Sequence, residues 1–401
     1  MLVQNKRIAV IGGGMGGLLL ARLLQMKNGI VKVYERDLNQ EIRVQGSPLD
    51  LHEDSGIKAM KEADLLDEFY KNVRPNASKA RIVDQNFKIR FDEHHIPETA
   101  SAKNTDEKQH SLAAISKPRP EIDRSALRNI LVNSLENDTL VWNSQFDSME
   151  KQGNGWKIHF KNGSEAYADL VIAADGANSK VRPYLSKIKP IYSGITMIEG
   201  TIYNAKENAP NFFDFSKGGK VLAFGNEQTI MYGTKGDGSL MFLTSTKTPE
   251  NWITESDLDF NDHLKMYEWF KEVYKDWSFE WHELFTSQEL YFIPRPQYYF
   301  PLNQTWETQE NLTMIGDAAH RMPPFAGKGA NLALLDALEL AENLTSTPFS
   351  DILSALSDFE KRMIKRAAEA TKETLTNAEQ LFGADALEKL VSIFEKANTI
   401  S

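Results

Sequence analysis

Gly316-Asp317-Ala318-Ala319-His320-Arg321-Met322-Pro323-Pro324-Phe325-Ala326-Gly327-Lys328-Gly329-Ala330-Asn331 carries residue types suited to holding a charged, planar molecule. Asp317 follows the apolar run Leu312–Ile315, so its carboxylate sits where a strand end can bind a sugar hydroxyl. Pro323 and Pro324 keep the backbone rigid and apolar. Gly327 and Gly329 then let bare N–H groups at a helix start face a flat ligand, where the helix dipole stabilises developing negative charge. About three hundred residues upstream, Ile8–Ile11 runs into Gly12-Gly13-Gly14-Met15-Gly16-Gly17, and Val31–Tyr34 ends in Glu35. The spacing Gly12-x-Gly14-x-x-Gly17 allows a sharp turn, close approach of backbone to a pyrophosphate, and tight helix–strand packing. The helix start supplies N–H groups and partial positive charge to the phosphates. The pattern follows a strand, precedes an apolar helix, and is answered by Glu35 at the next strand end, the context that gives such a turn meaning. A carboxylate there suits a ribose diol and repels a 2′-phosphate, so the bound dinucleotide is FAD or NAD. The later segment decides for FAD, because its helix start suits the negative charge of a reduced isoalloxazine.

The elements that must position these residues can be laid out along the chain. Residues 6–35 read as a βαβ unit whose helix carries Leu18, Leu19, Ala21, Leu23 and Leu24. A helix is expected over 56–70, a polar loop over 91–120, and a helix over 124–136. His94-His95 lies in that loop without carboxylate or cysteine ligands at useful spacing, so it reads as solvated and not as a metal site. A β-meander follows: 155–160, the turn Asn162-Gly163, then one strand over 166–174. Strands continue over 195–246, with Gly236-Asp237-Gly238 joining two of them. Most aromatic residues fall between Trp252 and Phe300 and read as core packing. A buried strand over 312–315 leads into the opening motif, a helix follows over 331–344, and the tail from Asp351 is helical with one charged face.

The chain has 401 residues, 41% hydrophobic and 25% charged, enough for two domains or one large α/β body. A formal charge of −10 argues against a nucleic-acid partner. With no cysteine there are no disulfides, no thiolate metal sites and no cysteinyl tether to flavin. No apolar segment resembles a signal peptide or a membrane span, so a cytoplasmic protein is expected, with no membrane partner.

The motifs resemble those of the single-component, class A flavoprotein monooxygenases, the para-hydroxybenzoate hydroxylase-like superfamily. The third motif is Asp169-Leu170-Val171-Ile172-Ala173-Ala174-Asp175-Gly176-Ala177-Asn178-Ser179-Lys180-Val181-Arg182, similar to that family's middle Asp-Gly segment, which touches both FAD and NAD(P)H. The likeness runs from Gly12 to Asn331. Within the family, the chain is most similar to the tetracycline-inactivating monooxygenases of the TetX type, through Val33-Tyr34-Glu35-Arg36-Asp37, Leu49-Asp50-Leu51-His52, Ser134-Leu135-Glu136-Asn137-Asp138-Thr139 and Gly316–Gly329.

That resemblance implies an α/β protein. A Rossmann-like FAD-binding domain of the glutathione-reductase type would span 1–75, 105–190 and 295–345. An interleaved, mostly antiparallel substrate-binding domain would span 76–104 and 191–294, with a C-terminal helical segment over 350–401. It implies that Gly12, Gly14, Gly17, Glu35, Arg36, Asp50, Arg124, Asp175, Asp317, Pro324, Gly327, Gly329, Ala330 and Asn331 hold FAD, and that Arg43 contacts NADPH. Pro324 and Phe325 would line the substrate cavity. Those enzymes hold tetracycline with a glutamine, an arginine and a histidine from the substrate-domain sheet. Here the matching positions are Glu199, Lys220 and Met241, which change both charge and hydrogen bonding.

The implied chemistry is hydride transfer from NADPH or NADH to FAD, addition of O2 to give a flavin C4a-hydroperoxide, and hydroxylation of an electron-rich carbon. The substrate would be a polycyclic, phenolic or enolic molecule, a tetracycline-type antibiotic among the candidates. No catalytic side chain is required if the substrate is already an enolate or phenolate, and a monomer suffices. Two alternatives differ in kind: an aromatic hydroxylase unconnected with antibiotics, and a non-catalytic FAD-fold protein that sequesters a ligand. A flavin-dependent halogenase is disfavoured, since Trp277-Ser278-Phe279-Glu280-Trp281 lacks the Trp-x-Trp-x-Ile-Pro signature.

Overall fold

The computed structural model describes residues 2–42, 46–96, 119–287, 289–346 and 348–399. They cluster into two units. The first comprises Met1–Val73, Ile122–Ile191 and Tyr299–Lys372; the second comprises Arg74–Glu121, Tyr192–Tyr298 and Glu373–Ser401. Residues 119–121, expected with the nucleotide-binding part, therefore fall in the second unit. The C-terminal helices Ile352–Leu381 and Ala386–Thr399 do not form a segment of their own. Leu356, Phe359 and Met363 belong to the first core, while Phe394 packs edge-on against Phe91 in the second unit, ring centres 5.5 Å apart.

The first unit is built on a five-stranded sheet in the order Leu312–Met314, Leu170–Ala173, Arg7–Ile11, Ile30–Tyr34, Leu140–Val141. Every pairing in it is parallel. Layers cover both faces of a parallel sheet, so its central strands are continuous apolar runs and do not alternate. Ile8 to Ile11 and Leu170 to Ala173 are all buried accordingly. The helix Met15–Gln25 crosses between the first two strands and buries Leu18, Leu19, Leu20, Ala21, Leu23 and Leu24.

Three local expectations are corrected here. The strand read over 166–174 is two strands in two sheets. Glu165–Ala168 pairs antiparallel with Gly155–Phe160, and Leu170–Ala173 then joins the parallel sheet beside Ile8–Ile11. The change falls at Asp169, whose carboxylate accepts the backbone N–H of Arg7 at 2.8 Å. The helix read over 56–70 is a π-turn Glu53–Ile57 followed by Lys58–Glu62 and Leu66–Lys71. It breaks at Asp64, which sits at φ +58°, incompatible with continuing an α-helix. The helix from Arg124 ends at Asn133, where the Ser134 hydroxyl donates to the carbonyl of Leu131.

The second unit carries a seven-stranded sheet in the order Leu290–Tyr299, Ile191–Ile202, Leu240–Lys247, Gln228–Thr234, Lys220–Gly225, Ala80–Asp84, Ile89–Asp92. One face of it, through Ile198, Ile202, Val221, Ile230, Leu240 and Phe242, packs on an aromatic core that includes Trp269, Phe270, Trp277 and Trp281. The aromatic residues of the 252–300 stretch are thus largely core, as expected. Among the described residues, no helix is long and apolar enough to cross a membrane.

Candidate functional site

All the motif residues of the first unit begin where a parallel strand stops. Gly12 follows Arg7–Ile11, Glu35 follows Ile30–Tyr34, Ala174-Asp175 follows Leu170–Ala173, and Ile315-Gly316 follows Leu312–Met314. These four strands are neighbours in the sheet, so segments three hundred residues apart meet along its carboxyl edge. That edge is where open parallel sheets bind ligands, because strand-end loops and helix starts both face it.

The three glycines of the turn do three different things. Gly12 has φ +111°, and a Cβ there would lie 2.3 Å from the carbonyl oxygen of Ala174. At Gly17 a Cβ would lie 2.3 Å from the carbonyl oxygen of Gly12, so this position sets helix–strand packing. At Gly14, the N-cap of Met15–Gln25, a Cβ would meet nothing within 4 Å. The space above the helix start is open. A cleft of about 320 Å3 lies there, with Gly12, Gly14, Glu35, Arg36, Asp175 and Asn178 in its wall.

Glu35 is buried and aimed by backbone: one carboxylate oxygen accepts Gly13 N–H at 2.6 Å, the other Asp37 N–H at 3.0 Å. Arg128, which sequence reasoning missed, locks this corner. Its guanidinium donates to the carbonyls of Gly13 (3.5 Å) and Gln40 (3.0 Å) and pairs with Asp37 at 3.4 Å. Its place between Leu127 and Leu131, on the buried face of an amphipathic helix, was the available signal.

Asp175 uses one oxygen to accept the N–H groups of Lys180 (2.8 Å) and Val181 (3.3 Å), while its other oxygen is buried with no partner among the described residues. Burial pushes its carboxyl up, against the hydrogen bonds from Ser179, Lys180 and Val181 that favour the charge. The motif's Arg182 ties this segment to the opening one. It is buried, donates to the carbonyls of Ala318 (2.9 Å) and Ala319 (3.0 Å) and to Gln304 Oε1 (2.8 Å), and its guanidinium carbon lies 3.5 Å from the ring centre of Phe300. Desolvation pulls its pKa down to about 10.

Gly316 has φ +58° and turns the chain so that Asp317 begins a one-turn helix, Asp317–His320. The Asp317 carboxylate is exposed and accepts no hydrogen bond among the described residues. Further on, Gly327 has φ +64°, and Gly329, the first residue of the helix Gly329–Thr345, would place a Cβ in open space. Pro324 is exposed, Phe325 is buried, and Ala330 is half-buried. The Asn331 amide is occupied: Oδ1 accepts His52 N–H at 2.8 Å and Nδ2 donates to the carbonyl of Asp50 at 2.9 Å. Its side chain staples the Asp50 segment to the helix. Asp50 itself faces His52 Nε2 at 3.2 Å and lies beside Gly327. Arg124 is half-buried against Gly46. Arg43 lies outside the described residues.

In the second unit, Glu199, Lys220 and Met241 share the sheet face opposite the aromatic core, since their neighbours Ile198, Val221 and Leu240 point into it. Lys220, Gly233, Met241 and Thr201 form one cross-strand row, and Leu222, Met231, Leu243 and Glu199 the next but one. The charges on this face are paired. Glu199 Oε2 meets Arg295 Nε at 2.6 Å, and Lys220 Nζ meets Glu121 Oε1 at 2.9 Å. Arg295 was not foreseen, because its partner stands ninety-six residues away.

An open nucleotide cleft, an unpartnered Asp175 oxygen, an exposed Asp317 and an open glycine-lined helix start on one sheet edge fit a single elongated flavin dinucleotide. The class is that of the FAD-dependent monooxygenases, and comparison with known proteins agrees. The family model described as FAD binding domain matches residues 5–348, and the chain belongs to that family. It is 26% identical to "Monooxygenase penA" of Penicillium thymicola over 97% of this chain and 98% of that one. Among solved structures, the fold is similar to that of tetracycline destructase Tet(55), with TM-score 0.73, 18% identity, and 99% and 98% of the two chains covered. It is also similar to that of Klebsiella pneumoniae HpxO complexed with FAD and uric acid, with TM-score 0.72, 17% identity, and 100% and 94% covered.

Proposed function

We propose that this chain is a single-component monooxygenase that takes hydride from NADPH or NADH and hydroxylates a polycyclic, phenolic or enolic small molecule, tetracycline-type antibiotics among the candidates. The observation that carries the reading is the convergence of Gly12–Gly17, Glu35, Asp175 and Gly316–Gly329 on one carboxyl edge of one parallel sheet. FAD, when bound, supplies both hydride acceptance and oxygen transfer. The chain's own residues bind and orient it. Glu35 takes the ribose diol, the helix start at Gly14 takes the pyrophosphate, Asp317 takes a ribityl hydroxyl, and the N–H groups around Gly327–Gly329 favour negative charge on the ring.

The sequence holds one glycine turn of this pattern, so the nicotinamide cofactor would bind transiently and not in a nucleotide domain of its own. For the substrate, the face bearing Leu222, Met231, Met241 and Leu243 suits a flat apolar body, with Lys220 and Arg295 on it for acidic oxygens and Glu199 to accept from a hydroxyl. The protein would act as a cytoplasmic monomer on a small molecule and O2. A second reading, an aromatic hydroxylase unconnected with antibiotics, is favoured by Glu199, Lys220 and Met241 standing where a tetracycline reader has glutamine, arginine and histidine.

The test is to incubate purified protein with FAD, NADPH or NADH, and a panel of tetracyclines and polyphenols, and to follow the gain of one oxygen by mass spectrometry. Oxygen gained by a phenol but by no tetracycline removes the antibiotic reading and keeps the hydroxylase. Tight binding of a compound without any consumption of reduced nicotinamide points instead to a sequestering protein.

A further inference from the structure

Beneath the Gly316 turn lies a chain of charges, fully buried at Asp336 and half-buried at Arg366, that the flavin-binding motifs do not account for. Asp336, on the third turn of the helix Gly329–Thr345, is fully buried. Its Oδ2 accepts Gly316 N–H at 3.0 Å and lies 2.5 Å from His320 Nε2. Its Oδ1 accepts from Arg366 at 2.8 Å, and Arg366 in turn forks onto both oxygens of Glu339 at 2.9 and 3.0 Å. The other nitrogen of His320, Nδ1, is buried with no partner among the described residues, so the ring's orientation rests on Asp336. Thus one carboxylate grips both ends of the segment Gly316–His320, within which Asp317 is exposed.

Gly316 is held on both of its backbone groups. Its φ of +58° with ψ of −144° is open to glycine and not to residues with a Cβ, which would approach Ala333 at 3.0 Å, and its carbonyl accepts the N–H groups of Ala319 (2.8 Å) and His320 (2.9 Å). The N–H bond to Asp336 ties the other side of the same residue to the helix Gly329–Thr345. The same helix offers its open start, at Gly329, to the ligand, so one rigid element sets both the helix start and the turn that carries Asp317.

We infer that Asp336, seated between His320 and Arg366, is a positioning residue for the flavin: by fixing the Gly316 turn it aims the Asp317 carboxylate at the cofactor. This rests on the FAD reading above. If Asp336 acts through Asp317, the two must be coupled in a double-mutant cycle, whereas a merely structural carboxylate would add its effect independently.

The experiment measures FAD affinity of apoprotein by flavin fluorescence, with apoprotein melting temperature alongside, for wild type, Asp317→Ala, Asp336→Asn and the double variant. Loss of a hydrogen bond to a charged group predicts weakening by Asp317→Ala of about 10- to 100-fold. Asp336→Asn should weaken FAD by roughly tenfold, a loss that the double variant does not add to that of Asp317→Ala. If Asp336→Asn does not fold, the half-exposed Arg366 carries the same cycle: Arg366→Gln is expected to weaken FAD in an Asp317-dependent manner, and Arg366→Lys to restore it. Additive losses, or a lower melting temperature with unchanged FAD affinity, would overturn the inference. Wild-type protein that takes up no FAD would instead remove the cofactor reading, an outcome distinct from either.

Discussion

Gly14 and Gly12 stand two residues apart in one turn, yet the structure assigns them opposite sensitivities. Gly14 has φ −80° and ψ 177°, which any residue adopts, and a Cβ there would meet nothing within 4 Å. Gly14→Ala should therefore leave the apoprotein close to wild type. Stiffening the unfolded chain favours it by about 0.4–1 kcal/mol, and alanine, a poorer N-cap than glycine, costs about 0.5–1 kcal/mol and so offsets it. The methyl group would stand in front of the helix-start N–H groups where a pyrophosphate must approach. Losing one charge-assisted hydrogen bond costs about 1.5–3 kcal/mol, or roughly 10- to 150-fold in Kd for FAD.

Gly12→Ala meets different physics. At φ +111° an alanine is strained by about 1–3 kcal/mol, and its Cβ would sit 2.3 Å from the Ala174 carbonyl, which cannot move without breaking the sheet edge. The apoprotein itself should be destabilised. Apoprotein melting by differential scanning fluorimetry and FAD titration by fluorescence separate the two effects. If Gly14→Ala binds FAD as tightly as wild type, or melts as low as Gly12→Ala, the assignment of roles within the turn is wrong.

Other outcomes follow from the same geometry. Arg182→Ala should lower stability by about 3 kcal/mol or more, since it strands the carbonyls of Ala318 and Ala319 and empties the space over Phe300; chemical denaturation measures it, and a loss below about 1 kcal/mol would contradict the tie. The His320–Asp336 pair gives stability a pH window. Burial works against charge on both, but their mutual attraction outweighs it, lowering Asp336 below 3.8 and raising His320 above 6.5. The Asp336 contribution is present above 3.8 and lost as pH falls through its depressed value, and the His320 contribution is present below 6.5 and lost as pH rises through its raised value. Melting temperature should thus decline as pH rises through the His320 value above 6.5, and His320→Gln should flatten that arm; an unchanged arm refutes the pair's charge. Glu199→Gln, which removes the anionic partner of Arg295, should change KM and substrate preference while leaving FAD affinity as it was. A parallel loss of flavin would place Glu199 outside the substrate face.

Much of this protein is legible from local pattern. The glycine turn, the carboxylate at Glu35 and the Asn162-Gly163 hairpin are conformations that a few adjacent residues decide for themselves: glycine alone tolerates φ +111° at position 12 and +83° at position 163. The unbroken apolar runs at Ile8–Ile11 and Leu170–Ala173 announce strands buried on both faces. The same logic erred where a neighbour in space overrides the run. Residues 166–174 are apolar but for Asp169, and the bond from Arg7 to Asp169 marks the point where the chain leaves one sheet for another.

What tertiary structure alone decided is which distant groups share one charge. Asp336 serves Gly316, His320 and Arg366, separated from it by twenty, sixteen and thirty positions. Arg182 caps carbonyls more than a hundred residues away, and Arg295 finds Glu199 across ninety-six. Local propensity carries no record of such pairings, because they depend on the order in which strands lie side by side. A buried charge is stable only with its partner in place, so the fold must be complete before these residues have a role. The backbone motifs and the turns they form could be read in advance; the side-chain pairings that hold those motifs in position could not.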